Sequence, residues 1–278
     1  MKPLSLTKLF GLVLLINFIT GCAVQKAPPS SFSFEETFDP SQNAKVNIVM
    51  GSGSLNVFAG KDNRVVATIQ NNTTNWQPAL ERSGEALSIT QGDISGIVKL
   101  PSAGEINDWS IQLSNTPTDL FIEGTGYYGN LNLSNTNLST LRILDSRSDT
   151  TIIYEQPNPT PLDLIEIGSA GSTFEFIGIA NANFDQMNFR GVGGNYTLNF
   201  SGALQRDAQA AIIAGLGTMQ VLIPKDLAAS VTVSGNPSRF EVKGPWKTEK
   251  NVYRNDVPGE KLLLDIKMDL GALVLILE

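Results

Sequence analysis

Three charged residues close together make the best case for chemistry in this chain: Asp145, Arg147 and Asp149. Two carboxylates with a basic neighbour could divide acid and base work on a glycosidic bond, as glycan-cleaving enzymes do. Asp145 stands five residues before Thr150, and the equivalent positions in neighbouring units, Ile167, Phe189, Ile212 and Val233, are apolar. The same acids also suit a plainer task, bonding turn amides with Arg147 as a solvated partner. Calcium is a further option, but their spacing matches no established loop. The chain contains no His, which removes the usual base of Ser and Cys nucleophiles and the usual ligands of catalytic zinc. Neither Gly51-Ser-Gly53 nor Gly191-Val-Gly-Gly194 matches a phosphate loop or a dinucleotide fingerprint. No catalytic, cofactor-binding or metal-binding residue is assigned, and the expectation is a protein that is not an enzyme. Tyr127, Tyr128 and Trp246 fall at corner or insertion positions. They could stack on sugar rings, anchor a protein partner or cover the ends of the core. With Asp145 they form the set of candidate surface-binding residues.

What must position these residues is a repeat. Small residues mark corners at Gly129, Thr150, Ser172, Gly194, Gly217 and Ser238, spaced 21, 22, 22, 23 and 21 residues apart. Apolar side chains follow each corner by two and four residues, as in Leu131 and Leu133 or Phe174 and Phe176. Another precedes it by seven: Ile122, Ile143, Ile165, Met187, Ala210, Val231. Spacing of two puts side chains on one face of a strand. Each unit reads as an incoming strand, a tight corner and an outgoing strand. A unit of this size cannot bury its apolar face alone and must stack on its neighbours. Gly53 and Gly271 carry the same signature, giving eight matches to one template. The prediction is an all-β solenoid of about 22 residues per repeat, with Leu131, Ile152, Phe174, Tyr196 and Met219 in one column. An evenly spaced antiparallel sandwich is the competing arrangement.

Four segments follow. Residues 1–21 read as a leader, a targeting signal peptide outside the fold: Lys2 and Lys8 give a basic start, and the apolar run Leu9–Ile19 is too short for a stable span. Residues 22–43, with Pro28, Pro29, Ser30 and Ser31, read as a flexible tether. Residues 44–113 lose the corner spacing and read as an irregular β cap over the first unit, with strands at Val65–Thr68, Ala86–Ile89, Ile97–Leu100 and Trp109–Leu113. Residues 114–278 form the regular solenoid, interrupted near 244–260, and its last strand from Leu273 is expected to leave an open edge. The whole chain carries a net charge of −7, which becomes −9 without residues 1–21. That balance disfavours nucleic acid as a partner.

Ile19-Thr-Gly-Cys22 resembles the lipobox of bacterial lipoproteins at all four positions. The resemblance implies cleavage before Cys22 and attachment of diacylglycerol plus an N-acyl chain to it, a stable anchor without a spanning helix. Cys22 is also the chain's one cysteine, so no disulfide supports the fold. Ala23 rather than Asp after it would favour the outer membrane in a bacterium that has two. The segments PLDLIEIGSAG (161–171), GVGGNYTLNF (191–200), GLGTMQVLIP (215–224) and LDIKMDLGALV (264–274) resemble toast-rack, or adhesin-type, repeat domains of bacterial envelope proteins. Related domains end LiaF-type proteins, which respond to cell-wall antibiotics. The resemblance implies a β-solenoid at the cell surface and a role in adhesion or envelope sensing. It brings no functional residues with it. A flat, ladder-like surface would suit extended partners, cell-wall glycan or another envelope protein. A polysaccharide-processing enzyme using Asp145 and a self-associating module pairing through the edge after Leu273 are the alternatives.

Overall fold

A computed structural model describes residues 26–92 and 100–278; the leader, Cys22 and residues 97–99 of one predicted strand lie outside it. Eight strand–corner–strand rungs stack in parallel. They span residues 44–59, 118–132, 138–153, 162–177, 184–199, 208–223, 228–243 and 261–277. Incoming strands form most of a twelve-stranded sheet and outgoing strands most of an eleven-stranded sheet. At about 4.8 Å per step each sheet runs for roughly 50 Å. The repeat and its all-β solenoid are thus as predicted.

The core lies between the two sheets as columns of side chains. On the incoming sheet Ile48, Ile122, Ile143, Ile167, Phe189, Ile212, Ile266 and Val233 pair rung to rung. On the outgoing sheet the column is Val57, Leu131, Ile152, Phe176, Leu198, Val221, Leu275 and Val242. Ile152 therefore sits beside Phe176, and Phe174 starts its own run with Tyr196 and Met219. The predicted column was two residues out at this step. An offset of two keeps the same side chains facing inward, so apolar spacing cannot detect it. The shift is filled by Tyr127, whose ring occupies the space that side chains at Gly124 and Gly129 would need.

The N-terminal end departs from prediction. Residues 26–37 are no tether: Lys26–Thr37 is an edge strand, antiparallel to Arg64–Thr73. Phe32 and Phe34 from it pack against the core, which is why the segment is ordered despite its prolines. Arg64–Thr73 pairs antiparallel with Asn107–Leu113, which joins the first rung in parallel. A hairpin of Ala79–Ser83 and Ala86–Thr90 extends the other sheet. Residues 44–59 are themselves a full rung, so the irregular part begins after them.

The C-terminal end departs more. Ala272–Leu277 lies between Gly217–Ile223 and Arg239–Lys243, parallel to both. Lys261–Asp269 is likewise inserted between Ala208–Ala214 and Ala228–Asn236. No open edge follows Leu273, which overturns self-association through that strand. The chain builds rung 228–243, makes a hairpin of Lys247–Glu249 and Val252–Asn255 against its outer side, and returns inside it. The true edge, Arg239–Lys243, carries Arg239, Glu241 and Lys243 in mutual ion pairs, charges that discourage pairing with another sheet.

Candidate functional site

The corners are built alike. In five of the eight rungs one corner residue takes a left-handed conformation: Gly126 (φ 72°), Arg147 (54°), Gly171 (67°), Gly193 (69°) and Leu270 (63°). Just before it, the inward position on the incoming sheet runs Met50, Gly124, Asp145, Ser169, Gly191, Ala214 and Met268. Asp145 therefore belongs to a row of mostly small residues, and the apolar equivalents expected for it are those of Ile143. The rings of Tyr127 and Tyr196 lean over this row, against Gly124 and Gly191.

Asp145 is 5% exposed, which removes it from the set of surface-binding residues. Its carboxylate accepts from Ser148 Oγ at 2.5 Å and from Ser172 Oγ at 3.2 Å. Burial pushes its pKa up, against the pull of these hydroxyls. Two further oxygens, Tyr127 Oη and Ser169 Oγ, are buried nearby, and the Ser169 hydroxyl adds to the pull on Asp145. The group is a closed polar pocket inside the core, not an acid–base pair open to substrate. Its pH dependence has a definite sign. A carboxyl whose folded pKa lies above its ordinary 3.8 holds its proton more tightly in the folded chain. Stability is then undiminished below that ordinary value and falls as pH rises through the folded pKa. Asp145→Asn should raise the melting temperature at pH 7–8, by the equivalent of about 1 kcal/mol. That gain should shrink to nothing as the buffer is taken down to pH 4. A gain that stays constant across the titration would contradict this account.

The three aromatic candidates separate. Tyr127 is fully buried, with its phenol pKa pushed up by burial; it fills the core and offers nothing to a partner. Tyr128, its neighbour on the strand, points outward and is 45% exposed. Trp246 stands at the far end, edge-on to Tyr253 at 6.4 Å between ring centroids, with Nε1 donating to Lys243 O. Six sheet steps part the strand of Tyr128 from Arg239–Lys243 beside Trp246, roughly 29 Å. They do not make one site.

A surface that the sequence reading missed lies on the outer face of the twelve-stranded sheet. A pocket of about 430 Å³ is lined there by Lys45, Asn47, Arg82, Ser88, Phe121 and Arg142, among others. Outward positions on paired strands bring them together: Asn47 lies beside Ser88 and Phe121, and Phe121 beside Arg142. The Arg142 guanidinium stands 5.9 Å from the Phe121 ring centroid and pairs with Glu166 at 2.9 Å. Phe121 at an outward strand position is the available signal, since the spacing places Ile122 inward. Among the described residues no cluster of three or more His, Cys, Asp or Glu could hold a metal ion. No helix among them is long and apolar enough to cross a membrane.

The chain is similar to several solved structures at low identity. A candidate cell adhesion protein from Clostridium sporogenes is 15% identical with a TM-score of 0.44, covering 90% of this chain and 100% of its own. A candidate lipid-binding protein from Parabacteroides distasonis is 12% identical with a TM-score of 0.43, covering 89% and 96%. A candidate adhesin from Parabacteroides merdae is 10% identical with a TM-score of 0.42, covering 90% and 98%. No curated protein matches the chain. Residues 26–164, half of its length, match the family described as the N-terminal domain of toast_rack, DUF2154. The strand–corner–strand rungs begin within that stretch, and the chain belongs to the toast-rack family.

Proposed function

We propose that this chain is a non-enzymatic binding module of the bacterial envelope, anchored by lipid on Cys22 and acting as an adhesin or an envelope sensor. The Phe121 pocket is the observation that carries this reading. Its aromatic ring is flanked by amide, hydroxyl and guanidinium groups, the mixture that recognises sugar rings through their apolar faces and hydroxyl edges. The parallel strands beside it continue at a fixed spacing along the sheet, which suits an extended partner such as a cell-wall glycan strand.

Cell-wall glycan fragments titrated into the purified protein should bind, and Phe121→Ala should weaken binding about tenfold with melting unchanged. Equal binding by Phe121→Ala would remove the pocket from the reading. Release of new reducing ends from the glycan, retained by Phe121→Ala but abolished by Asp145→Asn, would replace it with the enzymatic alternative.

A further inference from the structure

The corner edge of the stack carries an apolar ridge, and we propose that this ridge lies against a lipid bilayer. Leu216 and Leu270 are neighbours there on adjacent rungs, because Gly217 and Gly271 flank the paired Thr218 and Ala272. Gly193 N–H donates to Leu216 O at 2.8 Å, which places Val192 beside the pair. Leu270 is 68% exposed, Leu216 57% and Val192 55%, the three most exposed large apolar side chains among the described residues. Leu270 is also left-handed, in a column where three other rungs use glycine. A strained backbone that displays leucine to water gains nothing within the fold.

Two features identify the occupant as a membrane. The first is where the chain enters. Lys26 pairs with Thr73 and Asn71 with Asn107, whose Nδ2 donates to Ser52 O at the first corner. The described chain thus begins on the corner edge, four residues after Cys22. Four extended residues reach at most about 14 Å, so acyl chains on Cys22 would hold this edge close to the bilayer. The ridge lies nine sheet steps away along the same edge, roughly 43 Å, and exposed Tyr128 lies between. Tyrosine favours the membrane–water boundary. The second feature is charge. Along the corner edge exposed Arg147 and Arg239 stand against Asp108, Asp149 and Asp269. The opposite edge, where chains return between rungs, exposes Asp39, Glu155, Asp207, Asp226, Asp256, Glu260 and Glu278 against Lys61, Lys225 and Lys247. The less acidic, apolar edge faces lipid and the more acidic edge faces water. The stack then lies along the membrane, held at one end by its anchor and near the other by leucine.

The inference rests in part on the Cys22 anchor proposed above, and the test keeps the two apart. The protein is purified from bacterial membranes into vesicles of phosphatidylethanolamine and phosphatidylglycerol with brominated acyl chains. Trp is introduced by Leu270→Trp or, on the opposite edge, by Glu155→Trp, and emission is corrected for the three native Trp. Brominated chains should quench Leu270→Trp at least twofold and leave Glu155→Trp unchanged. In Tyr128→Trp, quenching should disappear when Leu216→Ser and Leu270→Ser are added, with melting unaffected. Quenching at 270 no greater than at 155 overturns the proposal, whether or not the N-terminus is acylated. The mass of that terminus reports on the anchor separately.

Discussion

Alanine at Gly217 is expected to lower stability by about 3 kcal/mol or more, while alanine at Gly171 costs only about 1 kcal/mol. Both are corner glycines with positive φ, at 113° and 67°. They differ in what surrounds them. A Cβ on Gly217 would collide with the backbone carbonyl of Gly194 on the next rung, and it has no flexible neighbour to displace. A Cβ on Gly171 would meet nothing within 4 Å, leaving only the left-handed backbone to oppose it. Parallel rungs at a fixed spacing cannot part locally to admit an atom without losing the ladder bonds on both sides. Urea unfolding of the two variants, with unchanged slope, reads the difference as a shift in midpoint. Equal shifts would mean that backbone conformation alone governs these corners.

Asn158→Ala should cost a similar amount, about 3 kcal/mol, by a different route. Asn158 is buried on the return edge, where it accepts from Leu138 N at 3.0 Å and donates Nδ2 to Leu138 O at 2.8 Å and Thr160 O at 2.6 Å. One amide side chain thus closes the backbone of the rung before it, and Asn183 Nδ2 in turn donates to Asn158 O at 3.1 Å. Removing it leaves buried donors and acceptors that water cannot reach. Asn158→Asp should be at least as damaging at neutral pH, because it keeps the acceptor but turns a charge toward two carbonyls. Hydrogen exchange at Leu138 N–H provides the local readout. Protection there that survives Asn158→Ala would mean the return turn holds itself without the side chain.

Much of this was readable in the chain and some was not, for reasons particular to each residue. The corners were visible because inward positions recur at two and four residues after small ones. Which rung lies beside which was not visible, because every rung shows its neighbours the same apolar stripe. Nothing in LDIKMDLGALV marks it as the partner of both 208–223 and 228–243. Asp145 was misread for the same reason: a two-residue offset exchanged its row for that of Ile143. Tyr127 and Tyr128 were grouped, although adjacent residues on a strand face opposite ways and one of them had to be buried. The edge strand Lys26–Thr37 showed alternating Phe32 and Phe34, a signal outweighed in the reading by the prolines and serines before them. The Phe121 pocket depends on residues from strands far apart in sequence, and only pairing brings them together.

The inserted rung has a consequence for how the molecule is made. Residues 228–243 precede 261–277 in the chain, yet the two groups touch the rest of the stack in the reverse order. The earlier segment has no proper seat until the later one arrives as a wedge between it and 208–223. Addition of rungs in chain order therefore stops near residue 223. Completion of the last two layers is a single concerted event that waits for the tail.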